Sequence, residues 1–138
     1  MAFRPKFITF DCYGTLTHFR IGEVTREIFA DRIPAERMDA FLTDFRNFRR
    51  DEVMGDWRPY KEVLFRSLER ACRRAKVASR TDDALRIYAA VPTWAPYPDG
   101  PPGLAKTAKE FPLVILSNAA NEQIHRNVAL LGAPFTHV

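Results

Sequence analysis

The sequence predicts an α/β fold, an open sheet of parallel strands with a block of helices inserted after the first strand. Three observations carry that expectation. A Phe- and Ile-rich run over residues 3–10 stops abruptly at Asp11, Gly14 and Thr15. A long stretch from about Glu23 to Tyr88 carries apolar residues three and four apart, and a second aliphatic run, 113–116, stops at Ser117 and Asn118. Short apolar runs closed by turn residues read as buried strands, whereas spacing of three and four reads as amphipathic helix.

The first strand, residues 3–10, leaves Asp11 at its carboxyl end. In the helical block, Phe41, Phe45 and Phe48 and then Val63, Leu64, Leu68, Ala71 and Cys72 mark apolar stripes. Pro34 and residues 55–59 interrupt them, so at least three helices joined by short turns are expected. Between Pro92 and Gly103 five prolines and two glycines make a stiff, irregular connector, which reads as a boundary. A short helical stretch, 104–110, leads into the second strand, 113–116. Residues 121–131 then form a helix with Ile124, Val128 and Leu131 on one face. Two strands in this order pair in parallel through a long right-handed crossover. The expected division is a core of residues 1–17 and 93–138 and a helical insertion of residues 18–92. Open sheets of this kind bind ligands beyond the carboxyl ends of their strands, which brings Asp11 and Ser117 to one place.

With 46% hydrophobic and 28% charged residues, the 138-residue chain has the composition of a packed globular protein, and disorder is not expected. It holds no run of eighteen apolar residues and does not start like a signal peptide, so the expectations are no membrane partner and a cytoplasmic location. Cys12 and Cys72 lie far apart in different contexts and read as free thiols. The net charge of +4 rests on sixteen Arg against five Lys. That balance suits anionic ligands of any kind. The arginines sit singly or in pairs among acids and apolar residues, without an RNA- or DNA-binding motif, so no nucleic-acid partner is expected. His18, His125 and His137 lack acidic or cysteine companions at ligand spacing, so no metal is assigned.

The strongest local signal is Phe10-Asp11-Cys12-Tyr13-Gly14-Thr15-Leu16. A carboxylate at the end of a strand, among backbone N–H groups, stays ionised while losing part of its hydration, which favours nucleophilic attack. Gly14 permits a tight turn, and the Thr15 hydroxyl can hold one carboxylate oxygen. The plainer reading is that Asp11 and Thr15 only complete a turn. At the second strand, Ser117 and Asn118 precede a helix whose first N–H groups and positive dipole end suit an anion, and either residue can also serve as its N-cap.

The first of these stretches resembles the first motif of the haloacid dehalogenase (HAD) superfamily, and Leu116-Ser117-Asn118 resembles its second. The form Asp-x-Tyr-Gly-Thr-Leu is similar to that of the L-2-haloacid dehalogenases. Phosphatases and mutases of the superfamily carry a second aspartate where Tyr13 stands here, and they bind Mg²⁺. The resemblance implies a partial HAD-like Rossmannoid core with an inserted helical cap, and a hydrolytic dehalogenase of short 2-haloalkanoic acids that needs no cofactor. It implies Asp11 as nucleophile, Thr15 as its orienting hydroxyl, Ser117 as ligand of the substrate carboxylate and Asn118 as ligand of the departing halide. Arg46, within Asp44-Phe45-Arg46-Asn47-Phe48-Arg49-Arg50, best fits the cap arginine that draws off the halide, though Arg49 and Arg50 stand close by. Tyr13, Trp57 and Tyr60 would line the substrate pocket and exclude water.

The resemblance also implies that third and fourth motifs, with a lysine and a water-positioning acid, follow in such enzymes beyond the point matched by Val138. The chain is accordingly expected to be incomplete and inactive alone, ending with residues 134–138 where a third strand would begin. A sheet of two strands has open edges. From this follows the expectation of a homo-oligomer whose partner covers the Ser117-side strand. The alternatives are a HAD-type phosphohydrolase that has lost its second aspartate, and a non-catalytic HAD fragment acting in protein association.

Overall fold

In the computed structural model, which describes residues 4–138, the chain divides into two compact units. Arg20–Val91 forms one, and the flanking segments, up to Phe19 and from Pro92 onward, form the other. The elements run β1 (Ile8–Phe10), α1 (Ile21–Phe29), α2 (Ala35–Met54), α3 (Tyr60–Ala75), α4 (Thr81–Ala90), a 3-10 turn (Val91–Thr93), α5 (Gly100–Thr107), β2 (Leu113–Ile115), α6 (Asn121–Leu131) and β3 (Phe135–His137). Among the described residues no helix is long and apolar enough to cross a membrane.

The flanking unit is a parallel sheet in the order β1-β2-β3. Ile8, Thr9 and Phe10 pair with Leu113, Val114 and Ile115, and β2 pairs on its other side with β3 through Leu113–Phe135 and, after an irregularity, Val114–His137. Side chains alternate across a strand, so Leu113 and Ile115 are buried with Leu104, Ile124 and Leu131, and Phe10 and Phe135 pack against that cluster.

Three expectations change here. The expected first strand began at Phe3, which lies outside the described residues; within them the strand is Ile8–Phe10 and only half buried. Pro5 has no N–H to give to a ladder, and pairing with the neighbouring strand begins where the Ile8 N–H reaches the Pro112 carbonyl at 3.0 Å. The sheet has three strands instead of two: residues 135–137 form β3, and the Thr136 hydroxyl donates to the Leu113 carbonyl at 3.0 Å. The edge of β2 that was expected to need a partner chain is therefore occupied by this chain's own β3. The proline-rich connector is shorter than expected, because α5 starts at Gly100 rather than 104. Pro101 and Pro102 occupy its first turn, where an N–H has no helical partner to lose.

In the other unit, α2 and α3 make the most extensive helix pairing. Pro34 and Pro59 stand in extended conformation (φ −56° and −55°, ψ 146° and 139°) immediately before them, so each helix begins one residue after its proline. Phe29, Phe45, Leu64, Leu68 and Ile87 are fully buried, and the Phe29 and Phe41 rings meet at 4.9 Å. Among the ion pairs of this unit's described residues, the most enclosed joins Arg32, after α1, to Asp83 in α4. Arg32 Nη1 and Nη2 donate to Asp83 Oδ2 and Oδ1 at 2.8 and 2.7 Å, with Asp83 nearly inaccessible.

Candidate active site

The Leu116 N–H donates to the Phe10 carbonyl at 2.9 Å, so β1 and β2 remain bonded up to the residues just before Asp11 and Ser117. Asp11 and Ser117 therefore leave neighbouring parallel strands at their carboxyl ends, the side of an open sheet where ligands bind. The structure brings these two motifs together.

After Asp11 the chain turns at once. The N–H groups of Thr15, Leu16 and Thr17 all donate to the Cys12 carbonyl, at 3.3, 2.8 and 2.9 Å, and the Gly14 N–H donates to the Thr17 carbonyl at 2.7 Å. Gly14 sits at φ +82°, a region that side-chain-bearing residues enter only with strain. This wrap carries the Thr15 hydroxyl to 3.3 Å from Asp11 Oδ2, to which it donates. Asp11 and Thr15 are exposed, whereas Cys12, Leu16 and Thr17 are buried and anchor the loop. The partial dehydration expected of the carboxylate is thus not supplied by burial. Burial does push the neighbouring Cys12 thiol up, with a hydrogen bond to Thr17 acting the other way and the Asp11 charge adding to the rise.

Tyr13 is held by a side chain that sequence reasoning did not single out. Its hydroxyl donates to Asn127 Oδ1 at 2.8 Å, and Asn127 Nδ2 donates to the Trp94 carbonyl at 3.2 Å. Asn127 lies on α6 and is fully buried. The available signal was a polar residue three positions after Ile124 and four before Leu131, inside an otherwise apolar stripe; a buried amide in such a place needs partners. The Tyr13 ring also meets Trp94 edge-on at 6.0 Å and Phe19 at 6.4 Å.

Ser117 is half-buried and Asn118 exposed. The N-cap of α6 is Ala120, whose carbonyl accepts the Gln123 and Ile124 N–H groups at 3.0 Å each, without a side-chain cap. Neither Ser117 nor Asn118 is that cap. Further along the same unit, Thr17 bridges Pro96, the Tyr97 N–H donates to the Leu16 carbonyl at 2.9 Å, and the His18 and Tyr97 rings meet at 4.1 Å, tilted by 46°. Among the described residues no group of three or more His, Cys, Asp or Glu side chains gathers as a metal cage.

The remaining candidates belong to the Arg20–Val91 unit. Arg46 stands on the exposed side of α2, one residue past buried Phe45. Arg49, one turn on, is half-buried, with its guanidinium 5.1 Å from the Phe45 ring centre. Tyr60 opens α3; burial pushes its phenol up, and Arg49 beside it works in the opposite direction. Trp57, between α2 and α3, is 87% exposed.

The sequence matches the haloacid dehalogenase-like hydrolase family over residues 5–137. No curated protein matches it. Among solved structures it is similar to the L-2-haloacid dehalogenase from Xanthobacter autotrophicus, with a TM-score of 0.73 at 23% identity over 96% of this chain and 55% of that one. The same enzyme with chloropropionic acid covalently bound gives the same figures. The HAD-hydrolase YfnB from Bacillus subtilis, bound to magnesium, follows with a TM-score of 0.66 at 18% identity, over 96% and 63% of the two chains. At such identities the likeness is one of fold, and the chain spans only a little over half the length of these neighbours. The family match is of another kind, since it takes in both strand-end motifs and all but the outermost residues: the chain belongs to the haloacid dehalogenase-like hydrolase family.

Proposed function

We propose that the whole protein is a hydrolytic dehalogenase of short 2-haloalkanoic acids, working through an ester on Asp11. The observation that carries this reading is at position 13. The phosphoryl-transferring relatives hold there an aspartate that protonates a leaving oxygen, whereas here the Tyr13 hydroxyl donates to buried Asn127 at 2.8 Å. A site whose proton is turned into the core suits a leaving group that departs as a stable anion, and a halide is such a group.

In the proposed reaction one Asp11 oxygen attacks C2 of the substrate while the carbon–halogen bond breaks and its electron pair leaves with the halide. The Thr15 hydroxyl, 3.3 Å from Oδ2, fixes that oxygen so that the other faces the substrate. Ser117, at the end of β2, would bind the substrate carboxylate. Asn118 and Arg46 would receive the halide, charge that exists only as the bond breaks. The Tyr13 ring, Trp57 and Tyr60 would keep water from competing. Water then attacks Cγ of the ester. The bond from Cγ to the oxygen on C2 breaks, the 2-hydroxy acid leaves with a former Asp11 oxygen, and the water's second proton goes to solvent. No cofactor enters this scheme, and a covalent chloropropionic acid adduct on the Xanthobacter neighbour is in keeping with it.

A single turnover of the whole protein in ¹⁸O water tests the reading by mass spectrometry. Label on Asp11 is the expected result. Label in the hydroxy acid alone means direct attack by water, and Mg²⁺-dependent release of phosphate from phosphoesters, without halide release, replaces dehalogenation by phosphohydrolysis.

A further inference from the structure

Asn127 sits in the middle of α6 and is fully buried, yet its side chain ends in a polar amide. A buried amide without partners destabilises a core by about 1–3 kcal/mol, so its contacts matter. They run in two directions. Its Nδ2 donates to the Trp94 carbonyl, a group that can only accept, and this fixes which way round the amide lies. Oδ1 is thereby turned to the Tyr13 hydroxyl, which must then be the donor at 2.8 Å.

Tyr13 is two residues from Asp11 and one from Gly14, the left-handed pivot of the loop. The ring is enclosed by Trp94 at 6.0 Å and Phe19 at 6.4 Å, and these two rings meet edge-on at 5.5 Å. Three side chains, Phe19, Trp94 and Asn127, thus close on Tyr13, and the Tyr13–Asn127 bond ties the loop to α6 by a directed contact. The backbone wrap around the Cys12 carbonyl is local and fixes the loop's shape. The Tyr97 N–H to Leu16 carbonyl and His18 N–H to Ala95 carbonyl bonds tie the far end of the loop to residues 95–97, and the Tyr13–Asn127 bond ties its middle to α6.

We propose that Asn127 is a positioning residue for Asp11: by holding the Tyr13 hydroxyl and the Trp94 carbonyl at once, it sets the orientation of the loop that carries the carboxylate and keeps the phenol proton out of the site. The catalytic meaning of this clamp rests on the proposed function, but the clamp itself does not. Both partners are needed. Removing the Tyr13 hydroxyl takes away the bond between the loop and α6 and leaves Asn127 bonded to Trp94, while removing the Asn127 amide loses both bonds.

The test takes Tyr13→Phe and Asn127→Leu in the whole protein and reads two quantities. The first is amide hydrogen exchange at Gly14, Leu16 and Thr17, which needs no activity. The expected result is exchange about tenfold faster at these three sites in Tyr13→Phe, and faster still in Asn127→Leu, with the α2 and α3 amides unchanged; tenfold is the loss of one buried hydrogen bond of ordinary strength. The second is the rate at which bromoacetate alkylates Asp11, followed by mass spectrometry against reagent concentration. In both variants the maximal rate is expected to fall about tenfold with the half-saturating concentration unchanged, the pattern of lost orientation rather than lost binding. Unchanged loop exchange, or exchange that rises equally throughout the chain, overturns the clamp. Selective exchange with an unaltered maximal alkylation rate overturns its role for Asp11. A whole wild-type protein whose Asp11 resists alkylation while the loop exchange responds as expected counts against dehalogenation and leaves the clamp standing.

Discussion

Replacing Asp83 by Ala tests how the helical unit is held. The carboxylate is 3% exposed and its partner Arg32 12%, so neither charge is shielded by bulk water. Asp83 receives Arg32 Nη1 at 2.8 Å, Nη2 at 2.7 Å and the Arg80 N–H at 3.2 Å, the last closing the start of α4. Removing one member of a buried pair destabilises by about 3–5 kcal/mol, because the other charge is left behind. Arg32 would keep the Ala78 and Ile28 carbonyls at 3.2 and 3.3 Å and the Phe29 ring at 4.2 Å, which places the loss at about 3 kcal/mol. Loss of the bond to the α4 start adds about 1 kcal/mol. In urea, with a slope of about 1.5 kcal/mol per molar, the midpoint of the helical signal should fall by about 2–3 M. The double variant Arg32→Met, Asp83→Leu removes both charges and should recover most of the loss. A midpoint shift under about 0.5 M, or a double variant no better than the single one, would refute the account.

Acid should act on the same pair. Burial pushes the Asp83 carboxyl up, but Arg32 and the Arg80 N–H together outweigh it and hold the group below the ordinary aspartate value of 3.8. Its stabilisation is therefore complete above that value and is lost as pH falls through the lower folded one, a loss that acid titration of Asp83→Ala should not show. Thr15→Val removes an exposed donor, so stability should change by less than about 0.5 kcal/mol while Asp11 alkylation slows about tenfold; equal rates would remove Thr15 from the site. Gly14→Ala meets no close atom, the nearest being Phe19 Cβ at 3.9 Å, so its effect comes from φ +82° alone. A loss of about 1–2 kcal/mol by urea unfolding is expected, and none would mean that the loop can relax out of the left-handed region. The Cys72 thiol is pushed up to about 11, chiefly by burial. With Cys12 also buried, a thiol reagent at pH 8 should modify neither until denaturant is added; prompt reaction of either contradicts the burial.

What could be read from the sequence was what local pattern determines. The residues 121–131 carry the helical period and are followed by Gly132, which takes φ +62° as a C-cap, so α6 was legible to its ends. Likewise Leu113–Ile115 is aliphatic throughout and became the central strand. By contrast β3 is the tripeptide Phe-Thr-His, which has no period of its own. It exists because β2 offers a free edge and Phe135 a place against the core, and neither is local. The prolines at 101 and 102 break a helix interior but begin a helix equally well, and only the position of the first turn decides which. Of the site, the strand-end motifs were legible because a turn chemistry and a strand pattern coincide there. The choice between Arg46 and Arg49 was not. Residues three apart share a helix face, and it is the packing of Phe45 and Tyr60 that leaves one exposed and half-buries the other.

The loop from Asp11 to Thr17 divides its residues between two tasks. Cys12, Leu16 and Thr17 are buried and make it rigid, while Asp11 and Thr15 are left in solvent. An exposed carboxylate is well hydrated and a weak nucleophile, so its fixed geometry cannot by itself account for ester formation. If Asp11 does attack carbon, removal of its water must come from outside this loop, and the substrate's own apolar carbons would displace part of that water as the carboxylate binds near Ser117. The rate of ester formation should then depend on how well the acid fills the site, and propionates should outrun acetates despite the greater crowding at C2. The reverse order, which is the order of intrinsic reactivity toward a carboxylate in water, would show that the protein adds orientation but no desolvation.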